Sequence, residues 1–296
     1  MSRDIEVVVP ALSFAEAPRW RDGRLWFSDF YTHRVLSVRE DGGDLRAEAH
    51  VLNQPSGLGW LPDGRLLVVS MRDARILRRE KDGKLSVHAE LSPHVQGFAN
   101  DMVVDAAGRA YVGNFGFDLM GGAPLEPTRL LRVDPDGTVT VAAEDLWFPN
   151  GSALVDGRLL IVNETLGNRV SAFDVAADGS LSNKRVWARF ADLPADRDLA
   201  KVFNGQLIVA PDGGGIDAEG AWWIADAIGG RVLRVREGGE ILDEIHPGTG
   251  VFACTLGGGD GRTLFICTAP DFHEEARKAA REAQIVAVKV GVPAGN

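Results

Sequence analysis

The sequence predicts an all-β fold, a six-bladed β-propeller. Three observations carry this. A turn glycine followed by a short apolar run recurs six times, a second strand-like segment follows each run, and the last repeat lacks a strand that the N-terminus can supply. The glycines are Gly23, Gly64, Gly108, Gly157, Gly220 and Gly261, spaced by 41, 44, 49, 63 and 41 residues. The runs are Leu25-Trp26-Phe27, Leu66-Leu67-Val68, Ala110-Tyr111-Val112, Leu159-Leu160-Ile161, Trp222-Trp223-Ile224 and Thr263-Leu264-Phe265. Asp-Gly or a similar turn bounds each of them, which marks a hairpin.

The segment after each run most often begins with Arg, as in Arg34-Val35-Leu36-Ser37-Val38 and Arg231-Val232-Leu233-Arg234-Val235. A further strand follows in the first five units, for example Leu85-Ser86-Val87-His88-Ala89, and one precedes each turn glycine. That makes four strands per unit. Only Gly291 to Asn296 remain after Val290, so the sixth unit is one strand short. Ile5-Glu6-Val7-Val8-Val9 is expected to close the ring as the outer strand of the last blade, which also removes an open sheet edge. Residues 1–296 thus read as a single propeller domain. Three segments depart from the repeat: 115–128, 190–208 and 272–283. The third is expected to hold a short helix, His273 to Arg281, with acidic residues first and basic ones last, as the helix dipole favours. Irregular insertions often sit over the working face of a repeat fold.

Composition narrows the function. Lys+Arg 32 against Asp+Glu 42 gives a net charge of −10, and no Lys/Arg cluster stands out, so no nucleic-acid partner is expected. No apolar run reaches the ~18 residues of a membrane helix. The start, Met1-Ser2-Arg3-Asp4-Ile5-Glu6, is too acidic for a signal peptide, and two cysteines are too few for a disulfide framework. A cytoplasmic location is the expectation. The sequence has no Gly-x-Ser-x-Gly, His-Glu-x-x-His or Cys-x-x-Cys motif. Gly213-Gly214-Gly215 reads as a close backbone approach, and the sequons at Asn150 and Asn163 as chance.

The first strand of each propeller blade lines the axis, so its start should fall a fixed distance before the turn glycine. Glu16 and Asn150 lie seven residues before theirs, and Asn100 and Asp212 lie eight before theirs, in hairpins one residue longer. Glu16, Asn100, Asn150 and Asp212 then share one register in four blades. Such residues commonly cap turns. Four oxygen-bearing side chains in register also make a hard-cation site, suited to Ca²⁺, with Mg²⁺ or Mn²⁺ as alternatives.

With Glu16-Ala17-Pro18-Arg19-Trp20, Ala99-Asn100-Asp101-Met102, Pro149-Asn150-Gly151 and Pro211-Asp212-Gly213-Gly214-Gly215, the chain resembles the senescence marker protein (regucalcin), gluconolactonase and luciferin-regenerating enzyme family over about residues 5–290. The resemblance implies Glu16, Asn150 and Asp212 as ligands of one divalent metal, Asp212 as the catalytic acid/base, and Asn100 as a substrate contact, with Asp101 beside it. It leaves Ca²⁺, Mg²⁺, Mn²⁺, Zn²⁺ and Fe²⁺ open, and it implies a metal-dependent lactonase. One position departs from the family: Phe98 stands where members acting on sugar lactones carry an Arg. With Phe115, Phe117, Met120, Trp147 and Phe148 nearby, this favours a more hydrophobic lactone. Glu126 falls where the family has a substrate-contacting acid. Phosphotriester or aryl-ester cleavage on the same metal, and calcium binding without turnover, are the alternatives.

Overall fold

The structure, a computed structural model, describes residues 3–295. They form 24 strands in six four-stranded antiparallel sheets, the blades of a six-bladed β-propeller. The chain opens with β1 (Glu6–Leu12) and then lays down one blade after another. The first blade is β2 (Ala15–Arg21), β3 (Arg24–Asp29), β4 (Arg34–Arg39) and β5 (Arg46–His50). The second is β6 (Pro55–Trp60), β7 (Leu66–Ser70), β8 (Arg75–Arg79) and β9 (Leu85–Glu90), and the third β10 (Ala99–Val104), β11 (Ala110–Asn114), β12 (Thr128–Val133) and β13 (Val139–Leu146). The fourth is β14 (Pro149–Val155), β15 (Leu159–Glu164), β16 (Arg169–Val175) and β17 (Leu181–Arg189), and the fifth β18 (Pro211–Ile216), β19 (Trp222–Asp226), β20 (Arg231–Val235) and β21 (Ile241–Ile245). The sixth joins β22 (Gly250–Gly257), β23 (Thr263–Ala269) and β24 (Ala283–Lys289) to β1.

Contacts divide the chain into two units. One runs from the N-terminus to Pro55 and resumes at Asp212; the other is Ser56–Pro211. In the first unit, β1 pairs antiparallel with β24, Glu6 opposite Ala287 and Leu12 opposite Ala283. The expected closing strand is there, but it runs on past Val9 to Leu12. Pro10 does not stop it, because an outermost strand has one side on which no backbone donor is needed. Two register shifts, between Val7 and Val9 and between Val9 and Leu12, absorb the irregularity. The core of this unit lies between the fifth and sixth blades, where Trp223, Val232, Val251, Leu256, Leu264, Ile266 and Val286 cluster.

In the second unit, Tyr111, Leu130, Leu146, Leu160, Val162 and Phe173 form the equivalent layer between the third and fourth blades. Each blade's second strand is covered on both faces, which explains why its apolar run is continuous: all five residues of β7 and of β19 are buried. The fourth strand faces solvent, and β17 is mostly exposed.

A four-stranded meander enters and leaves its sheet at the same end. In the third blade Ala99 pairs with Asn114, so the insertion after β11 emerges beside the start of β10. In the fourth blade Pro149 pairs with Glu164 and Arg169 with Arg189, which brings the insertion after β17 out beside the start of β14. Gly250 pairs with Ala269, and the third insertion follows. It holds the helix Glu274–Ala280, with Glu274 and Glu275 in its first turn and Arg277 and Lys278 in its last. Among the described residues no helix is long and apolar enough to cross a membrane.

Val9 is 3% exposed on the closing strand. Val9→Asp buries a charge there and is expected to cost about 3 kcal/mol, read as a lowered denaturation midpoint in urea with β-sheet circular dichroism retained at low denaturant.

Candidate active site

The strand ranges give the sequence-predicted residues one structural address, the second position of a blade's first strand. Glu16 holds it in β2, Asn100 in β10, Asn150 in β14 and Asp212 in β18. The same position is Ser56 in β6 and Val251 in β22. Ser56 was missed by the sequence comparison, although it lies eight residues before Gly64, as Asn100 does before Gly108. Asn100, Asn150, Asp212 and Ser56 are buried, and Glu16 is partly buried. A register shift spans or directly follows this position in β2 (between Glu16 and Arg19), β10 (Ala99 and Met102), β14 (Pro149 and Ser152) and β22 (Val251 and Ala253). A bulge breaks the up-down alternation and re-aims the side chain at the strand start, a recurrent feature beside active sites.

In the first unit, Glu16 Oε2 accepts from the N–H of Ala17 at 2.9 Å, which supports the left-handed φ of +49° at Ala17. Glu16 and Asp212 share one neighbourhood. Burial pushes the thiols of Cys254 and Cys267 well up, and the negative charge of both carboxylates raises each of them further. Gly213, next to Asp212, has to be glycine: a Cβ there would stand 2.6 Å from the Cβ of Ala253. The close approach expected of the glycine triad is present.

In the second unit the two asparagines are turned opposite ways. Thr165 Oγ1 donates to the Pro211 carbonyl at 2.9 Å and therefore accepts from Asn150 Nδ2 at 3.0 Å. That bond anchors the amide by its nitrogen and turns its oxygen the other way. Asn100 is the reverse: Ser56 Oγ donates to its Oδ1 at 3.0 Å, so the amide is anchored by its oxygen and turns out its NH₂. At one register position Asn150 is thus held by its amide nitrogen and Asn100 by its amide oxygen. Asp101 is buried and accepts from the N–H of Met102 at 2.8 Å.

Around Asn100 the expected apolar surface is partly built. The rings of Phe98 and Phe115 lie 5.7 Å apart and those of Phe115 and Phe148 4.4 Å apart. Phe117 is buried, Trp147 is partly buried and Met120 is exposed. Glu126 is ion-paired with Arg197 of the second insertion, and the N–H of Leu125 donates to the Arg197 carbonyl at 2.8 Å. Its carboxylate joins two insertions.

A second polar tier is also spent on structure. It lies at the end of the second strands: Asp29 accepts from the N–H groups of Ser13 and Phe14, and Glu164 from Trp147 N–H and Arg169. Asp226 pairs with Arg231 at 3.0 Å. The Arg that opens most third strands in the sequence repeat has its reason here, at Arg169 and Arg231. Asn150 and Asn163 are buried, so neither sequon offers a glycan acceptor. Among the described residues no group of three or more His, Cys, Asp or Glu side chains is gathered as a metal site. The set expected from the sequence has two carboxylates, with an amide oxygen as its third donor.

The fold is a propeller with a polar strand-start tier, and the comparisons give its family. The chain belongs to the SMP-30/Gluconolactonase/LRE-like family, whose profile matches residues 14–270. It is 28% identical to a 6-deoxy-6-sulfogluconolactonase of Pseudomonas putida, over 99% of this chain and 97% of that one. It is 28% identical to a pentonolactonase of Haloferax volcanii, over 89% and 84%. A luciferin-regenerating enzyme has the same fold, with a TM-score of 0.79 at 19% identity over 99% and 97% of the two chains. So does a calcium-binding regucalcin of Agrobacterium tumefaciens, with 0.78 at 20% over 100% and 96%.

Burial keeps both cysteines protonated, so a disulfide reagent at pH 8 is expected to label neither Cys254 nor Cys267 in the folded protein and both in denaturant. Rapid native labelling would mean that the thiols reach solvent.

Proposed function

We propose that this protein is a metal-dependent lactonase. Curated relatives named as lactonases along nearly the whole chain support the reaction class. The observation that carries the site assignment is the opposite setting of two asparagines at one register position, a position that buried Asp212 holds in its own blade. Glu16, Asn150 and Asp212 would hold one divalent cation. Their chemistry fits a hard ion: two carboxylates and an amide oxygen presented by the Thr165 anchor, with the nearby thiols kept protonated. Ca²⁺ suits this set best. When bound, the cation supplies Lewis-acid polarisation of the lactone carbonyl.

The chain's own residues do the rest. Asn100 donates its NH₂ to the substrate, with Ser56 holding its oxygen. Asp212 takes a proton from the attacking water as the new C–O bond forms. When the ring C–O bond breaks, the same proton passes to the leaving ring oxygen, giving a hydroxy acid. Asp101 fixes the strand start by its bond to Met102 N–H. Phe98, Phe115 and Phe148 give the substrate an apolar wall, which supports a more hydrophobic lactone than a sugar lactone.

Chelator-stripped protein is expected to lose lactone hydrolysis and to regain it with Ca²⁺ or another divalent ion, followed as proton release. Asp212→Asn, which keeps an oxygen donor, is expected to lower kcat by about 10²-fold or more. Full turnover in that variant at unchanged metal content would remove the acid/base role from Asp212. Thr165→Val unanchors the Asn150 amide and is expected to weaken cation binding by about 10-fold, measured by calorimetry; unchanged affinity would take Asn150 out of the ligand set.

A further inference from the structure

The turn between β7 and β8 brings a cation to the side of the substrate wall, where the sequence shows only Phe98. Arg72 is exposed on this turn, and its guanidinium carbon stands 5.9 Å from the centre of the Phe98 ring. The placement is built into the backbone. The carbonyl of Met71, the residue before Arg72, accepts from Ala99 N–H at 3.3 Å, and Ala99 lies between Phe98 and Asn100. The same carbonyl accepts from Ala74 N–H, which closes the turn, and Leu91 N–H donates to the Ala74 carbonyl at 2.8 Å. Phe98 is fixed from the other side. Its carbonyl accepts from Phe115 N–H at 2.9 Å. Gly97 has φ +75°, and a Cβ there would lie 2.1 Å from the Phe117 carbonyl oxygen, so only glycine lets the insertion come this close.

We propose that Arg72 is a specificity-determining residue and that the preferred substrate is a lactone with an apolar body and a carboxylate. The inference rests on the lactonase reading and names its substrate class. Three features lead to it. A guanidinium is a planar fork that matches a carboxylate with two parallel hydrogen bonds, and an aromatic face beside it restricts the plane it adopts. The wall of Phe98, Phe115 and Phe148 takes the apolar part of a ligand, and Arg72 stands at its Phe98 end. The protein carries a net charge of −10, which opposes anions in general, so an anionic ligand binds where a local cation receives it. Asn100 and Arg72, joined through Ala99 and Met71, then hold two ends of one substrate: the amide the lactone group, and the guanidinium the carboxylate.

The test compares a carboxylate-bearing γ-lactone with its methyl ester, which has the same ring and no charge, in the metal-loaded enzyme. Wild type is expected to prefer the carboxylate, and added salt to reduce that preference. Arg72→Gln is expected to lower the ratio of the two kcat/KM values about 10-fold or more, mainly through KM for the acid. Arg72→Lys, which keeps the charge and loses the fork, should fall between. An unchanged ratio in Arg72→Gln overturns the inference. Should wild type open neither lactone, the lactonase reading fails separately. The Arg72 assignment is then decided by calorimetry with the corresponding carboxylate-bearing lactam and its ester. Binding of the acid that weakens about 10-fold in Arg72→Gln supports it, and equal binding by both proteins overturns it.

Discussion

The number of strands in a blade fixes almost everything else. Four antiparallel strands form a meander whose chain leaves its sheet at the end where it entered. Every first-strand start, every loop between second and third strands and every connection to the next blade therefore lies at one end of its own sheet. The opposite end receives short hairpins such as Asp22-Gly23 and Asp63-Gly64, and the C-terminal segment. Loops at the first end can lengthen without disturbing the hydrogen-bonded ladder. All three insertions emerge there.

That end has two tiers of polar side chains with different work. The tier at the ends of the second strands is saturated by the protein itself: Asp29, Glu164 and Asp226 hold loop N–H groups or the Arg that opens the third strand. Removing one partner from such a buried pair leaves a charge in a poor solvent, so these residues belong to folding. The tier at the starts of the first strands is different. A bulge after the second position lifts it out of the alternation, and hydroxyl groups of Ser56 and Thr165 fix amide orientations there. Polar residues at the same end of their sheets thus differ in their hydrogen bonds: one tier is closed by loop N–H groups and arginines, the other is oriented by hydroxyl groups.

Much of this was legible from the chain because the repeat is local. Turn glycines and apolar runs gave the blades, and counting back from the glycines gave Glu16, Asn100, Asn150 and Asp212 one address. The same count reaches Ser56, but a serine before a hairpin looks like an ordinary turn residue until its bond to Asn100 is seen. The closing strand was placed at residues 5–9 and runs on to Leu12, since a proline is harmless on an outer edge. The opposite setting of the two asparagines could not be read, since it depends on Ser56 and on Thr165, which come from different strands. Glu126 was in sight, yet its partner Arg197 lies in another insertion, about which periodicity says nothing.

Arg72 shows the same limit. In sequence it is a surface arginine in a tight turn of the second blade, and Phe98 is an aromatic residue standing where an arginine was expected. Their relation exists only through the third blade's first strand, whose Ala99 N–H is bound to the Met71 carbonyl. A propeller can therefore set a charge beside one strand start from the neighbouring blade's loop. Side chains from successive blades meet by separate backbones. Substitution at one loop then changes what is recognised without touching the residues proposed to carry out the reaction. Arg72 over the Phe98 ring has that form: the positive charge comes from a turn of the second blade, and the aromatic face from the residue before the third blade's first strand.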